Sequence, residues 1–279
     1  MIRYDSPLVE EFLTTGRCES CPIIDMHAHM FDNAGCNMLV DTTAKQVAQM
    51  DKNNVPLAFM ISHDALYGGY SYFEADHQAA EEFPGRFYQY VGVVDPGSDP
   101  KRDIEFLESH KYAVGFKFHG DTYHVSIADE SYDPYYAYAD ERKLPILFHT
   151  WGGSRYDGEG EAPKVLAKWH HFPFIAGHSF QRIEESIALC KAYPNLYLEL
   201  TAVLSKRGMV DAYVKAGLSD RILFGVDAPW FSYEFGIGAL LSADISDEDI
   251  RNILYRNPLR IMKEANIEIP ESLKKFANE

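Results

Sequence analysis

Positive charge is in short supply in this chain. Its 279 residues carry 26 lysines and arginines against 42 aspartates and glutamates, a formal net charge of −16, and a surface of that sign repels phosphate backbones. Nucleic-acid binding is therefore not expected, and no polybasic face offers itself to anionic lipid. Long apolar runs are missing too. No stretch approaches the roughly 20 residues that cross a bilayer, and Met1-Ile2-Arg3-Tyr4-Asp5 leads into mixed polar sequence without the apolar core of a secretory leader. No membrane partner and a cytoplasmic location are the expectations. Cysteine is sparse. Cys18 and Cys21 form a C-x-x-C, but no second pair follows to complete a zinc site and no thioredoxin-like βαβ unit surrounds it, so the two read as an ordinary reduced pair. Cys36 falls in a loop near the start of the chain, and Cys190 lies in an amphipathic run where it reads as packing. Linkers rich in proline, glycine or serine, short-period repeats and low-complexity tracts are absent. One domain over residues 1–279 is expected.

Histidine is what the sequence places with care. The apolar run from Pro22 ends in Asp25-Met26-His27-Ala28-His29, and residues two apart on a strand share a face. Two imidazoles delivered side by side supply half of a four-coordinate site for zinc or a related divalent ion, which binds ring nitrogen at about 2.0–2.1 Å. Pro145-Ile146-Leu147-Phe148-His149 and Phe174-Ile175-Ala176-Gly177-His178 each read as a short strand closed by one histidine, and Ile222-Leu223-Phe224-Gly225-Val226-Asp227 closes on an aspartate. A histidine at one strand end is ordinarily a polar cap. Caps have no reason to recur at the same end of successive strands.

The remaining β-type runs are 55–62, 87–94, 113–119 and 196–201, which brings the total to eight. Stretches with helical spacing at 42–53, 99–109, 134–142 and 183–193 separate strands. Eight alternating units read as a (β/α)8 TIM barrel of the α/β class, a fold whose catalytic groups lie at the C-terminal ends of the strands. Parity agrees: Asp25, His27 and His29 share one face of the first strand, and Gly115, Lys117 and His119 one face of the fourth.

With these pieces in order, the chain resembles the amidohydrolase superfamily, in its amidohydrolase-related branch of metal-dependent barrels. The matching segments are Asp-x-His-x-His at 25–29, Gly-Phe-Lys-Phe-His at 115–119, Phe148-His149, Gly177-His178-Ser179, Phe224-Gly225-Val226-Asp227-Ala228-Pro229 and the late stretch 252–260. They span a barrel core of about residues 20–265. The resemblance implies metal ligation by His27, His29, His149 and Asp227. It makes His178 either a general acid/base or a ligand to a second metal. Lys117 stands where some members carry a carboxylated lysine bridging two metals, while others use one metal. One divalent ion is the expectation, zinc before manganese or iron, with a second ion on carboxylated Lys117 left open.

Substrate groups must come from the loops. Thr150-Trp151-Gly152-Gly153-Ser154-Arg155-Tyr156-Asp157-Gly158-Glu159-Gly160 offers an aromatic face and a guanidinium suited to a lid over a planar or carboxylated molecule, against the simpler reading of a solvated loop. Arg182 offers a bidentate partner for a carboxylate or else a surface salt bridge. The aromatic segment 67–73 suits a pocket wall or a subunit contact, which leaves a homo-oligomer open. Trp230 and Phe231 follow Asp227, and Lys117 and His119 face the same mouth. Glu199 and Thr201 read as groups that orient the ligands. His63 sits at the rim, His124 is intermediate, and His77, His110, His170 and His171 read as ordinary surface or core histidines.

The chemistry that follows is hydrolysis of a small ester, lactone or amide by metal-activated water, with Asp227 as proton acceptor and His178 assisting. Non-oxidative decarboxylation of a carboxylated aromatic or muconate-type acid uses the same ligands and stands as the alternative. A non-catalytic metal-stabilised scaffold is disfavoured, because a structural zinc site is usually closed by four protein ligands.

Overall fold

The computed structural model of the protein describes residues 5–30, 40–96 and 99–277. Cys36 lies outside them. Eight strands, β1 (Ile24–Met30), β2 (Leu57–Ser62), β3 (Phe87–Val93), β4 (Ala113–Phe118), β5 (Ile146–His149), β6 (Phe174–Gly177), β7 (Leu196–Glu199) and β8 (Ile222–Leu223), pair in sequence order, all parallel. Parallel strands need crossovers, and helices supply them: α1 (Thr43–Lys52), α2 (Phe73–Glu82), α3 (Pro100–Ser109), α4 (Asp133–Arg142), α5 (Ala162–Leu166), α6 (Ile183–Ala192), α7 (Met209–Lys215) and α8 (Tyr233–Leu241). The result is a TIM barrel. Covered on both faces, its strands read as near-continuous apolar runs, and every residue of β1 to β4 is buried.

Helix starts follow the local chemistry. Thr42 Oγ1 accepts the Lys45 N–H at 3.3 Å, Asp99 Oδ1 that of Arg102 at 3.1 Å, and Ser232 Oγ that of Phe235 at 3.2 Å, which satisfies donors that the first turn leaves free. Ser246 and Asp249 form a reciprocal capping box before the final helical run at 247–264. An N-terminal helix, Pro7–Thr15, is tied to that run through Asp247, whose carboxylate accepts from Ser6 Oγ at 2.5 Å and Leu8 N at 3.3 Å. Cys18 and Cys21 are buried free thiols beneath it.

Five strand ends fall short of the sequence pattern: β3 and β6 stop one residue early, at Val93 and Gly177, β7 two residues early, at Glu199, and β8 and β4 depart as follows. The apolar run 222–227 predicts six residues of β8, yet only Ile222 and Leu223 stay in the ladder. From Phe224 onward the backbone is used elsewhere: Phe224 N–H reaches Ile253 O at 3.3 Å, and the stretch to Ala228 closes the barrel on β1. Those closing bonds are Met26 N–H to Phe224 O at 2.9 Å, Asp227 N–H to His27 O at 2.9 Å and His29 N–H to Ala228 O at 2.5 Å. Asp227 itself sits at φ 59°. β4 stops one residue short of His119, which instead opens a short turn of helix, Gly120–Tyr123. Among the described residues no helix is long and apolar enough to cross a membrane.

Asp76 of α2 is wholly buried; Oδ2 accepts the Ser62 N–H at 2.9 Å and Oδ1 has no partner. Burial pushes this carboxyl up to about 7. Unfolded, it titrates near ~3.9, so between those values the folded state holds a proton that the unfolded state has lost, and stability falls as pH rises through this window. Asp76→Asn is neutral throughout, and its carbonyl can still accept from Ser62. Denaturant midpoints of the variant should exceed those of wild type increasingly from pH 4 to 8, at up to about 1.4 kcal/mol per pH unit. Parallel profiles would refute the assignment.

Candidate metal centre

At the C-terminal mouth of the barrel, β1, β2, β4, β5, β6 and the chain after β8 deliver His27, His29, His63, Lys117, His149, His178 and Asp227 to one cavity of about 160 Å³, with Tyr67 and Trp230 on its rim. Asp227 Oδ1 lies 3.3 Å from His27 Nε2 and 3.0 Å from His29 Nε2. The outer nitrogens of both rings are already committed. His27 Nδ1 faces Glu199 Oε2 at 2.8 Å, and His29 Nδ1 faces the Ile61 carbonyl at 3.0 Å. An acceptor opposite Nδ1 places the proton there, so each Nε2 presents a lone pair.

Asp227 Oδ1 is buried without a hydrogen-bond partner. Burial holds His27 well below the ordinary imidazole range, with the Lys117 charge acting in the same direction. Burial works to raise Asp227, yet His27 and His29 hold its carboxyl well below the ordinary carboxylate range. In the tautomer set by Glu199 and the Ile61 carbonyl, both Nε2 atoms and Asp227 Oδ1 converge on one point. A tetrahedral ion with ligands at about 2.0–2.2 Å spaces its ligand atoms about 3.3–3.6 Å apart, so the residues present fit a divalent cation. The residues that would hold it are His27, His29 and Asp227.

His149 and His178 converge on each other rather than on that trio: His149 Nδ1 and His178 Nε2 are 3.2 Å apart. Burial pushes His178 down to about 4 and holds His149 well below the ordinary imidazole range, with neighbouring imidazoles adding to the effect on His149. Two further groups of metal-type ligands occur among the described residues, His27 with His178 and Glu199, and His119 with His149 and Asp157. Lys117 is wholly buried, its Nζ 2.9 Å from His27 Nε2, and burial lowers it to about 8. It is hydrogen-bonded to the trio through His27 and shares the cavity with the histidine pair.

His178 begins a turn in which four successive residues, none of them glycine, take left-handed backbone angles: φ is 66° at His178, 47° at Ser179, 55° at Phe180 and 57° at Gln181. Specific bonds hold it. Ser179 Oγ donates to Glu199 O at 2.7 Å, Phe180 N–H to Thr150 Oγ1 at 2.8 Å, and His178 N–H to Glu199 Oε2 at 3.2 Å. Outliers of this kind cluster at functional sites.

The loop residues divide. Trp230 Nε1 donates to His63 Nε2 at 2.6 Å, and His63 stacks on His29 at 4.4 Å between centroids. His119 stacks on His149 at 3.9 Å. Trp151 is exposed, its ring 5.8 Å from His178. Arg155 lies over its neighbour Tyr156, and Arg182 pairs with Glu159 at 3.1 Å and Glu185 at 3.6 Å. Neither guanidinium lines the cavity. Among the described residues Lys117 is the one lysine or arginine that does. Asp157 escaped the sequence reading because it sits inside a glycine-rich loop, where an aspartate signals nothing beyond a turn.

Fold and mouth together define a (β/α)8 barrel carrying a metal-ligand cluster. Residues 24–263 match the amidohydrolase family, and the chain belongs to that family, an enzyme superfamily that is metal-dependent. No curated protein sequence matches it. Solved structures share the fold at low identity. A putative amidohydrolase from Staphylococcus aureus aligns with TM-score 0.68 and 15% identity over 87% of this chain and 99% of the other. A dihydroxybenzoic acid decarboxylase from Polaromonas sp. JS666, with bound manganese and 2-nitroresorcinol, gives 0.70 and 15% over 91% and 99%. A probable 2-pyrone-4,6-dicarboxylic acid hydrolase from Acinetobacter baumannii gives 0.65 and 12% over 86% and 99%.

Purified protein should carry about one divalent ion per chain. The double variant His27→Ala, His29→Ala should lose it while keeping its far-ultraviolet circular dichroism. Full metal content in that variant, by elemental analysis, would remove β1 from the site.

Proposed function

We propose that this protein is a metal-dependent hydrolase of a small ester, lactone or amide, with a carboxylate on the substrate. The observation that carries the reading is Asp227 Oδ1, a carboxylate oxygen without a hydrogen-bond partner, set 3.3 Å from His27 Nε2 and 3.0 Å from His29 Nε2. A divalent ion held by His27, His29 and Asp227 would supply Lewis acidity toward a carbonyl oxygen and make water a stronger acid. Asp227 takes the proton that the attacking water gives up. His178, held neutral by burial with Nδ1 facing the Thr201 carbonyl at 3.3 Å, turns Nε2 toward the cavity and relays that proton to the leaving group. Lys117 supplies a buried positive charge for the substrate carboxylate. The small cavity limits the reacting part of the substrate to a few heavy atoms, while exposed Trp151 flanks the entrance.

A second reading, decarboxylation of a carboxylated aromatic acid, is favoured by the ring-rich walls of the cavity, His63, Tyr67, His119 and Trp230, and by likeness to the dihydroxybenzoic acid decarboxylase. It uses Asp227 and His178 to protonate carbon as carbon dioxide leaves.

A panel of lactones, small amides and carboxylated aromatics, incubated in oxygen-18 water, should place label in a product carboxylate. Carbon dioxide release with solvent deuterium fixed on carbon, and no hydrolytic product, would replace hydrolysis by the second reading. Asp227→Asn, at matched metal occupancy, should lower kcat by roughly 10²–10⁴-fold with a far smaller change in KM. Unchanged turnover would exclude Asp227 as the base.

A further inference from the structure

Beside His119 and His149 lies a carboxylate that this chemistry does not use. Asp157 is wholly buried. Its Oδ2 accepts the Asp121 N–H at 2.9 Å, whereas Oδ1, equally shut from solvent, has no partner. A carboxylate oxygen of Asp157, a ring nitrogen of His119 and a ring nitrogen of His149 all lie within 4.8 Å of one another. The loop is built to hold it there. Ser154 Oγ accepts the N–H groups of Tyr156 and Asp157, each at 3.1 Å, and donates to Asp121 Oδ1 at 2.7 Å. The chain closes so tightly that a Cβ at Gly158 would stand 2.3 Å from the Ser154 carbonyl oxygen.

Two arrangements use three such groups: an ion held by all of them, or a carboxylate that fixes a histidine serving an ion elsewhere. The ring geometry decides between them. His119 and His149 are stacked at 3.9 Å with planes only 10° apart, and an ion on the in-plane lone pair of one ring lies out of the plane of the other. His149 directs Nδ1 at His178 Nε2, 3.2 Å away, which leaves Nε2 for the opposite side. His119 is meanwhile held by Thr122, whose N–H reaches its Nδ1 at 3.4 Å.

We propose that Asp157 accepts the Nε2–H of His149 and thereby fixes the tautomer in which His149 Nδ1 keeps its lone pair toward the cavity it shares with His27, His29 and Asp227, available to the divalent ion held there. Asp157 is then a positioning residue acting through His149, in a carboxylate–histidine–metal arrangement. The inference rests on the metal-dependent reading above.

The test is metal affinity and ligand field, independent of any substrate. Asp157→Ala and the isosteric Asp157→Asn, checked for folding by circular dichroism, are titrated with zinc against a competing chelator, and their cobalt-loaded forms are compared by visible absorption. Affinity should fall roughly 10–100-fold and the cobalt bands should shift. Ser154→Ala, which loosens the same loop but keeps the carboxylate, should stay near wild type in both. In a His149→Ala background, Asp157→Ala should cost nothing more. Unchanged affinity and bands in both Asp157 variants overturn the proposal alone, as does an equal loss in the presence and absence of His149. Wild-type protein that takes up no divalent ion overturns the metal-dependent reading, and the proposal with it.

Discussion

The mouth of this barrel depends on one buried carboxylate. Glu199 ends β7 with no exposure to solvent, and a charge so placed is costly unless its lone pairs are used. They are used across three strands, by His27 Nδ1 at 2.8 Å, by His178 N–H at 3.2 Å and by its near neighbour Thr201 N–H at 2.5 Å. Room for it comes from the chain after β8, where a Cβ at Gly225 would stand 2.2 Å from Glu199 Oε1. Through that one side chain the tautomer of His27 and the start of the His178 turn become a single arrangement. Burial raises Glu199 above the ordinary carboxylate range, so its donors oppose a real desolvation cost.

Much of the architecture is legible in the sequence because both periods are strong. Apolar strands of two to seven residues alternate with helices, and a histidine or aspartate closes four of the runs. The convergence of His27, His29 and Asp227 is legible for the same reason: strand parity fixes which side chains share a face. Pattern alone cannot show where a strand leaves its ladder. The apolar character of 222–227 serves β8 for two residues and barrel closure for the rest, and both uses want the same side chains. Loop geometry is equally hidden. Arg155 and Arg182 carry the chemistry of carboxylate recognition, but their directions are set by Tyr156 and Glu159, contacts that no local spacing encodes. Asp157 is invisible for the opposite reason, since an aspartate in a turn looks ordinary until its burial is known.

Charge is organised against the average of the molecule. An overall balance of −16 draws cations toward the surface and repels anions, which suits the filling of a divalent site and disfavours a carboxylated substrate. In the cavity that imbalance is gone, since Lys117 offsets Asp227 and most of the remaining lining is imidazole and aromatic rings. Discrimination for an anionic group thus arises inside the mouth, at short range, where desolvation makes each charge count for more than it would at the surface.

The left-handed turn at 178–181 sets stability and function at odds. Each non-glycine residue held in that conformation costs roughly 1–2 kcal/mol, and glycine would relax all four positions. Yet glycine would delete the imidazole at 178, the hydroxyl that Ser179 gives to the Glu199 backbone and the Phe180 ring, which packs 6.0 Å from Phe148. At 178, where the side chain serves the cavity rather than the core, the most stable residue and the most competent one are therefore different. Selection or engineering for thermal robustness alone would drift toward glycine here and dismantle the site while the scaffold improved.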